Sequence, residues 1–329
     1  MRTLEVVPKE NVKIITWLLA FYLLLAPLDF LPVIPGVSLS RVLVFIPLIG
    51  FFLYLKDIKM RLDRFFVVPV VYVMLTMLTI FFSYDPSSTM QRIITIGMNI
   101  GVILVLSMLS YNKKEINILI RAMLYSGWVT LLLMVLFQDT DILQGRMTII
   151  VNGAYQDPNY LTGFLLFSIL YYFDDFINNK QKKSIIKMSI FLIFVLLTGS
   201  RGGMLGALGA ILFYILIWIK SNRMKLSSIF TIISLILISV IFVILAGDIL
   251  PEDMRERYTV SSVEESGGSG RTDLWDTTLQ RYGEFSAFNK LFGGGAGTTP
   301  YFTYGHSSHN IWIDSLIEMG LVGSFILFF

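Results

Sequence analysis

The stretch 291–329, LFGGGAGTTPYFTYGHSSHNIWIDSLIEMGLVGSFILFF, decides how the rest of the chain is read. A glycine run (Gly293, Gly294, Gly295, Gly297) leads into a short aromatic loop, and the protein's only two histidines, His306 and His309, follow within one turn of each other. From Asn310 onward the residues turn apolar, and Asp314 and Glu318 are the charges they carry. That order describes a membrane helix entered from water. Imidazole is the side chain best placed to move protons near neutral pH, so two at one water–lipid boundary mark a candidate site.

Working outward, apolar runs and polar connections alternate along the whole chain. Its 329 residues are 55% hydrophobic and 15% charged, with mean hydropathy +0.72, whereas soluble domains are about 25% charged. Several runs approach the ~20 residues a helix needs to cross a bilayer. Backbone groups in lipid must all be paired, which leaves helices or a closed barrel, and continuous rather than alternating apolarity favours helices. The expected fold is all-α: a polytopic transmembrane bundle of about ten spans, the last cut short by the end of the sequence. Spans are expected at about 14–35, 40–55, 65–83, 90–110, 116–137, 159–177, 184–198, 203–219 and 228–247, with the tenth beginning at about 309. The organisation is then a bundle of about nine helices over 1–250, a long loop over 251–308 with short amphipathic helices, and the start of a tenth helix over 309–329. Pro27, Asp29, Pro32 and Pro35 make the end of the first span irregular. The first run lacks a small-residue cleavage site and reads as a retained span.

No cysteine is present, which excludes disulfides, thiol nucleophiles and thiolate metal sites. A formal charge of +3 makes no case for nucleic acid. The placement of charge says more. The N-terminus and the connections after the second, fourth, sixth and eighth spans are rich in Lys (Lys56, Lys59, Lys113, Lys114, Lys180, Lys182, Lys183, Lys220, Lys225), while the alternate connections carry mostly Arg. Cytoplasmic loops hold the excess of Lys and Arg. The N-terminus is therefore expected in the cytoplasm and the 251–308 segment outside. In that segment PEDMRERY has a helix-favouring charge order, SSVEESGGSG reads as a flexible linker, and RTDLWDTTLQRYGEFSAF puts Leu274, Trp275, Thr278, Leu279 and Tyr282 on one face of an amphipathic helix.

The outer side retains Arg41, Arg92, Arg146, Arg201, Arg255, Arg257, Arg271 and Arg281. Arg201 is the sharpest of these. It sits in GSRGG between two apolar spans, where its rigid fork of donors matches phosphate oxygens and the following helix N-terminus favours an anion. The bland alternative is an arginine snorkelling to headgroups. Arg271, beside GGSG, has the same two readings, and Arg255, Arg257 and Arg281 read as solvated faces or local ion pairs. His306 and His309 form an H-x-x-H pair. Zinc needs three or four protein ligands, and without a second cluster the pair reads as a proton carrier or as packing and capping groups rather than a metal site. Asn310 is placed to cap the following helix. Asp314 and Glu318 lie on one stripe of it, to orient a histidine, hold an arginine or form an ion pair. GGGAG lacks the Lys-Ser/Thr of a phosphate loop. In DPNY, Asn159 binds sugar hydroxyls or caps a helix. The small residues Gly202, Gly203, Gly206, Ala207, Gly209 and Ala210 read as a close-packing face.

The order GSRGG, SGR-x-x-x-W, F-G-G-G-A-G and H-N-x-x-x-x-x-L-I-E-M-G-L-V-G, with GRMTIIVNGAYQDPN before the sixth span, resembles the O-antigen ligase and O-antigen polymerase superfamily of bacterial membrane glycosyltransferases. The resemblance covers about 145 to the end. It implies a glycan donor on undecaprenyl pyrophosphate, a glycan-, lipid- or protein-linked acceptor, no metal or other cofactor, and no nucleotide-sugar donor. It implies a multi-pass protein of the bacterial cytoplasmic membrane with an extracytoplasmic active site. Arg201 and Arg271 are then the important arginines and His309 the important histidine, with Arg146, Asn159, His306, Asn310, Asp314 and Glu318 as substrate-side candidates. Two other classes fit parts of the pattern: a lipid-linked glycan transporter, which needs charged or broken helices at the midplane, and a metal-dependent membrane hydrolase built on the histidine pair.

Overall fold

The computed structural model describes residues 12–34, 37–54, 64–139, 146–151, 153–222 and 267–328. The expected ninth span, the PEDMRERY helix, Arg255 and Arg257 lie outside these residues. The chain forms two compact units, Met1–Ser40 with Lys113–Ser262, and Arg41–Asn112 with Val263–Phe329.

In the first unit, α1 (Ile14–Leu25) ends in a single 3₁₀ turn (Ala26–Leu28), and a short hairpin follows, β1 (Pro32–Ile34) with β2 (Val37–Ser38). The expected irregular end of the first span is therefore a turn and hairpin. After α2 (Leu39–Leu43), the helices α3 (Phe45–Phe52), α4 (Arg64–Leu78) and α5 (Pro86–Met108) intervene before the first unit resumes with α6 (Lys113–Leu136). Glu115 in the first turn of α6 is 1% exposed and accepts from the Lys13 amide (2.8 Å) and Thr16 Oγ1 (3.1 Å). A carboxylate thus meets the positive N-terminal end of α1, where amides have no helical partner.

A small antiparallel sheet, β3 (Gln138–Asp139), β4 (Thr148–Val151) and β5 (Ala154–Tyr155), leads from α6 to α7 (Pro158–Asn179). Its central strand, TIIV, is β-branched throughout, which suits a pleated surface. Next come α8 (Lys182–Leu197) and α9 (Arg201–Asn222). The core around α6, α7 and α8 is aromatic: Trp128 meets Phe191 edge-on (4.9 Å between centroids) and donates to Tyr172 Oη (2.8 Å). Of the small residues on α9, Gly203 does the close packing, since a Cβ there falls 2.5 Å from Thr162 on α7.

In the second unit, α5 opens on Asp85, whose carboxylate accepts from the amides of Ser87 (3.1 Å) and Ser88 (3.2 Å). The remaining helices are α10 (Gly267–Gly283), α11 (Ala287–Phe292), α12 (Thr299–Phe302) and α13 (Ile311–Phe328). The first turn of α10 is GGSG, so those four residues are helical rather than linker, and Arg271 lies inside a helix. Glycine's poor propensity is overridden where neighbouring turns propagate a packed helix.

Helix α13 is broken. Gly320 has φ 65 and ψ −166, and the glycine run supplies the reason. The Gly294 amide donates to the Ile317 carbonyl (2.8 Å) and the Gly295 amide to that of Glu318 (3.0 Å). Tyr84 N–H in turn donates to the Gly294 carbonyl (2.9 Å), and Ala296 N–H to Thr79 Oγ1 (3.2 Å). The run is close-packed: Gly293 to Ala296 are all buried.

Five described helices, α5, α6, α7, α13 and the Arg201–Lys220 part of α9, are long and apolar enough to cross a membrane. Segments at the expected first, second, third and seventh spans are shorter apolar helices. The total of ten is not reached among the described residues.

Gly293 tests the interlock. It has φ 83, and a Cβ would fall 2.2 Å from the Glu318 carbonyl oxygen. Strain in a glycine-only region costs about 1–3 kcal/mol, and a forced clash adds a similar amount. Gly293→Ala is expected to lower thermal stability in detergent by at least ~2 kcal/mol. Gly97→Ala, in α5 with nothing within 4 Å of its Cβ, is expected to be neutral or to stabilise by up to about 1 kcal/mol.

Candidate functional site

The candidate residues fall in two groups, one in each unit. In the first unit they meet where α7 and α9 begin. Asp157 caps α7, its carboxylate accepting from the Asn159 amide (2.7 Å) and from Asn159 Nδ2 (2.7 Å). Ser200 caps α9, its hydroxyl accepting from the Gly203 amide (2.9 Å). The same hydroxyl donates to Asn159 Oδ1 (2.7 Å), so a single bond joins the two helix starts. Arg146 completes the corner. Its Nη2 donates to Asn159 Oδ1 (3.4 Å) and its Nε to the Thr198 carbonyl (3.3 Å). Arg201 follows directly as the first residue of α9 and is half-buried. Of the two alternatives for Asn159, neither is the whole account: it is a bridge between helix starts and the acceptor for an arginine.

This corner concentrates positive potential. Two arginines stand at helix N-termini, which already favour anions. The α7 end carries the Asp157 carboxylate, whereas the α9 end is capped by the neutral Ser200 hydroxyl.

In the second unit the histidine loop is built rather than loose. The Ser308 carbonyl accepts from Trp275 Nε1 (2.8 Å), tying the loop to α10. The Ser308 amide donates to Asp314 Oδ1 (3.2 Å), and the Asn310 amide donates to Ser308 Oγ (3.1 Å). Asn310 Oδ1 caps α13, accepting from the Trp312 amide (3.0 Å), as its position in the sequence suggested. His309 lies between these pinned neighbours. Its backbone is left-handed (φ 53) and its side chain is exposed. Positive φ is uncommon outside glycine and clusters at functional sites. His306 is exposed as well, and its carbonyl is hydrogen-bonded by Thr303 Oγ1. Arg271 lies one turn before Trp275, on the α10 face that meets the histidine loop. Arg281 makes the expected local ion pair, with Glu284 at 3.0 Å.

Asp314 and Glu318 differ in surroundings. Asp314 holds the loop backbone, whereas Glu318 is 7% exposed inside the broken helix and accepts from Thr299 Oγ1 (2.9 Å). Among the described residues, no cluster of three or more His, Asp or Glu side chains is arranged to hold a metal ion.

Residues 186–328 match the O-Antigen ligase family. The match covers less than half of the chain; it supports the O-antigen ligase and polymerase superfamily and a glycan-transferring enzyme of the membrane. With the spanning helices it supports a bacterial inner-membrane protein, and the family implies a lipid-linked glycan donor and an acceptor. No curated protein matches the chain. Arg201, Arg271, both histidines, Asn310, Asp314 and Glu318 lie inside the matched segment; Arg146 and Asn159 lie before it.

Sequence reasoning missed Ser200 and Trp275. A serine directly before Arg-Gly-Gly is a helix-start signal, and Trp275 stood on the apolar face without a partner. Ser200→Ala removes an N-cap and the link to Asn159. It is expected to lower stability by about 1–2 kcal/mol in thermal melts.

Proposed function

We propose that this protein transfers a glycan from undecaprenyl pyrophosphate to an acceptor sugar hydroxyl on the extracytoplasmic face, as an O-antigen-type ligase or polysaccharide polymerase. The observation that carries this reading is the arginine corner at the start of α9, whose Arg201 lies in the segment that matches the O-Antigen ligase family. The donor's pyrophosphate sits at the N-terminal end of α9, with Arg201 as a forked cation against its oxygens. Arg271 serves as the second cation. Both stabilise the charge that develops on the leaving group, the electrostatic role that usually contributes most.

His309 accepts the proton of the acceptor hydroxyl. The hydroxyl oxygen forms a bond to the anomeric carbon as the bond from that carbon to the pyrophosphate oxygen breaks, and the lipid pyrophosphate leaves with the electron pair. An exposed imidazole on a pinned loop suits an acceptor that arrives as a long chain. The arginines carry the pyrophosphate charge, so no metal is needed. The Lys-rich connections support a cytoplasmic N-terminus.

Purified protein with lipid-linked repeat units as donor tests the assignment. Arg201→Lys and Arg271→Lys are each expected to lose most turnover although charge is retained, because lysine lacks the bidentate fork. His309→Ala is expected to lower turnover about 10²–10⁴-fold while donor still binds, His306→Ala to lower it less, and a chelator to change nothing. Normal activity in both lysine variants overturns the clamp, and near-normal turnover for His309→Ala removes the base.

A further inference from the structure

The carboxylate of Glu318 is more than nine-tenths buried, and the mechanism above gives it nothing to do. Its surroundings are specific. Thr299 Oγ1 donates to it at 2.9 Å. Arg92, from α5, is an opposing charge close enough to act on it, and a Cβ on Gly297 would fall 2.9 Å from the Cβ of Arg92. Tyr72 from α4 shares the field of both charges. A buried carboxylate is costly in lipid unless paired and hydrogen-bonded, so this one is retained for what it holds.

What it holds leads to the histidine loop. Thr299 opens α12, and the Thr303 hydroxyl at the far end of α12 lies in hydrogen-bonding reach of the Thr299 carbonyl (2.9 Å) and of the His306 carbonyl. The Gly305 amide returns to the Pro300 carbonyl (2.8 Å) and the His306 amide to that of Thr303 (3.2 Å). From Glu318 a continuous line of polar contacts therefore runs through Thr299 and Thr303 to His306, three residues before His309. The glycine run forms the other wall, because the Glu318 carbonyl accepts from Gly295.

We propose that Glu318 is a positioning residue for His309: with Arg92 as its counter-charge, it clamps the segment from Gly297 to Thr303 against the break in α13 and so sets where the histidine loop stands. The consequence for turnover rests on the assignment of His309 to the acceptor hydroxyl; the positional effect does not. In this account Glu318 touches neither substrate nor the reacting atoms.

Hydrogen exchange followed by mass spectrometry on the full chain in detergent reads the positional effect without any substrate. In Glu318→Gln, amides in 298–309 are expected to exchange about 10–100-fold faster than in wild type, as loss of a charge-assisted bond predicts, with α7 and α9 unchanged. Thr299→Val, which keeps shape and removes the bond, is expected to do the same and serves if the Gln variant does not fold. Arg92→Gln is expected to loosen the same segment, and to add nothing once Glu318 is Gln. With lipid-linked donor, Glu318→Gln is expected to lower kcat about 10²-fold with the donor KM nearly unchanged. Unchanged exchange in 298–309, or an equal rise everywhere, overturns the proposal; multiplicative effects of the two charge variants overturn the part played by Arg92. Absence of transfer in the wild type counts against the proposed function alone, since the exchange result stands without it.

Discussion

An amide or carbonyl at membrane depth has no water to turn to, and leaving one unpaired costs several kcal/mol. In the second unit this constraint is met by an exchange of backbone bonds between the glycine run and α13. Where α13 breaks at Gly320, the carbonyls of Ile317 and Glu318 are taken by the amides of Gly294 and Gly295. The glycines are there because nothing larger fits: a Cβ at Gly295 would fall 2.3 Å from Ser83 Oγ, and one at Gly320 would fall 2.4 Å from the Leu291 carbonyl oxygen. The contacts among Glu318, Thr299 and the histidine loop all depend on that exchange, since it is what brings α12 to the level of the carboxylate.

The first unit solves the same problem at helix ends. Glu115 serves the start of α1, Asp157 the start of α7 and Ser200 the start of α9. The three caps are not equivalent. Two are carboxylates, which neutralise the positive end they sit on; the third is a hydroxyl, which satisfies an amide and leaves the potential standing. Arg146 and Arg201 add to that potential rather than cancel it, and Asn159 binds Arg146 through a neutral oxygen.

Much of this was legible in the chain. Long apolar runs located α5, α6, α7, α9 and α13 to within a few residues, because hydropathy reports burial in lipid directly. Asn310 announced its cap, and Arg281 its ion pair. The break at Gly320 was not legible. Nothing in EMGLVG distinguishes a glycine that packs from one that turns the backbone; the deciding partner is the distant run at 293–297. The helical GGSG was misread for a related reason, since propensity is local and the packing of α10 is not. Trp275 and Ser200 were visible as residue types, but their roles are set by the Ser308 carbonyl and Asn159, which sequence spacing does not bring together.

The broken helix also bears on the rival reading as a carrier of lipid-linked glycans. In transporters an interrupted membrane helix supplies ligand atoms, because the carbonyls and amides released at the break face the cargo. Here the carbonyls of Ile317 and Glu318 are already satisfied by the protein's own amides, and the adjacent carboxylate is engaged by Thr299. A break closed in this way keeps these groups from a solute. What it provides instead is a rigid seat from which a short loop can reach the surface, and that loop carries both histidines.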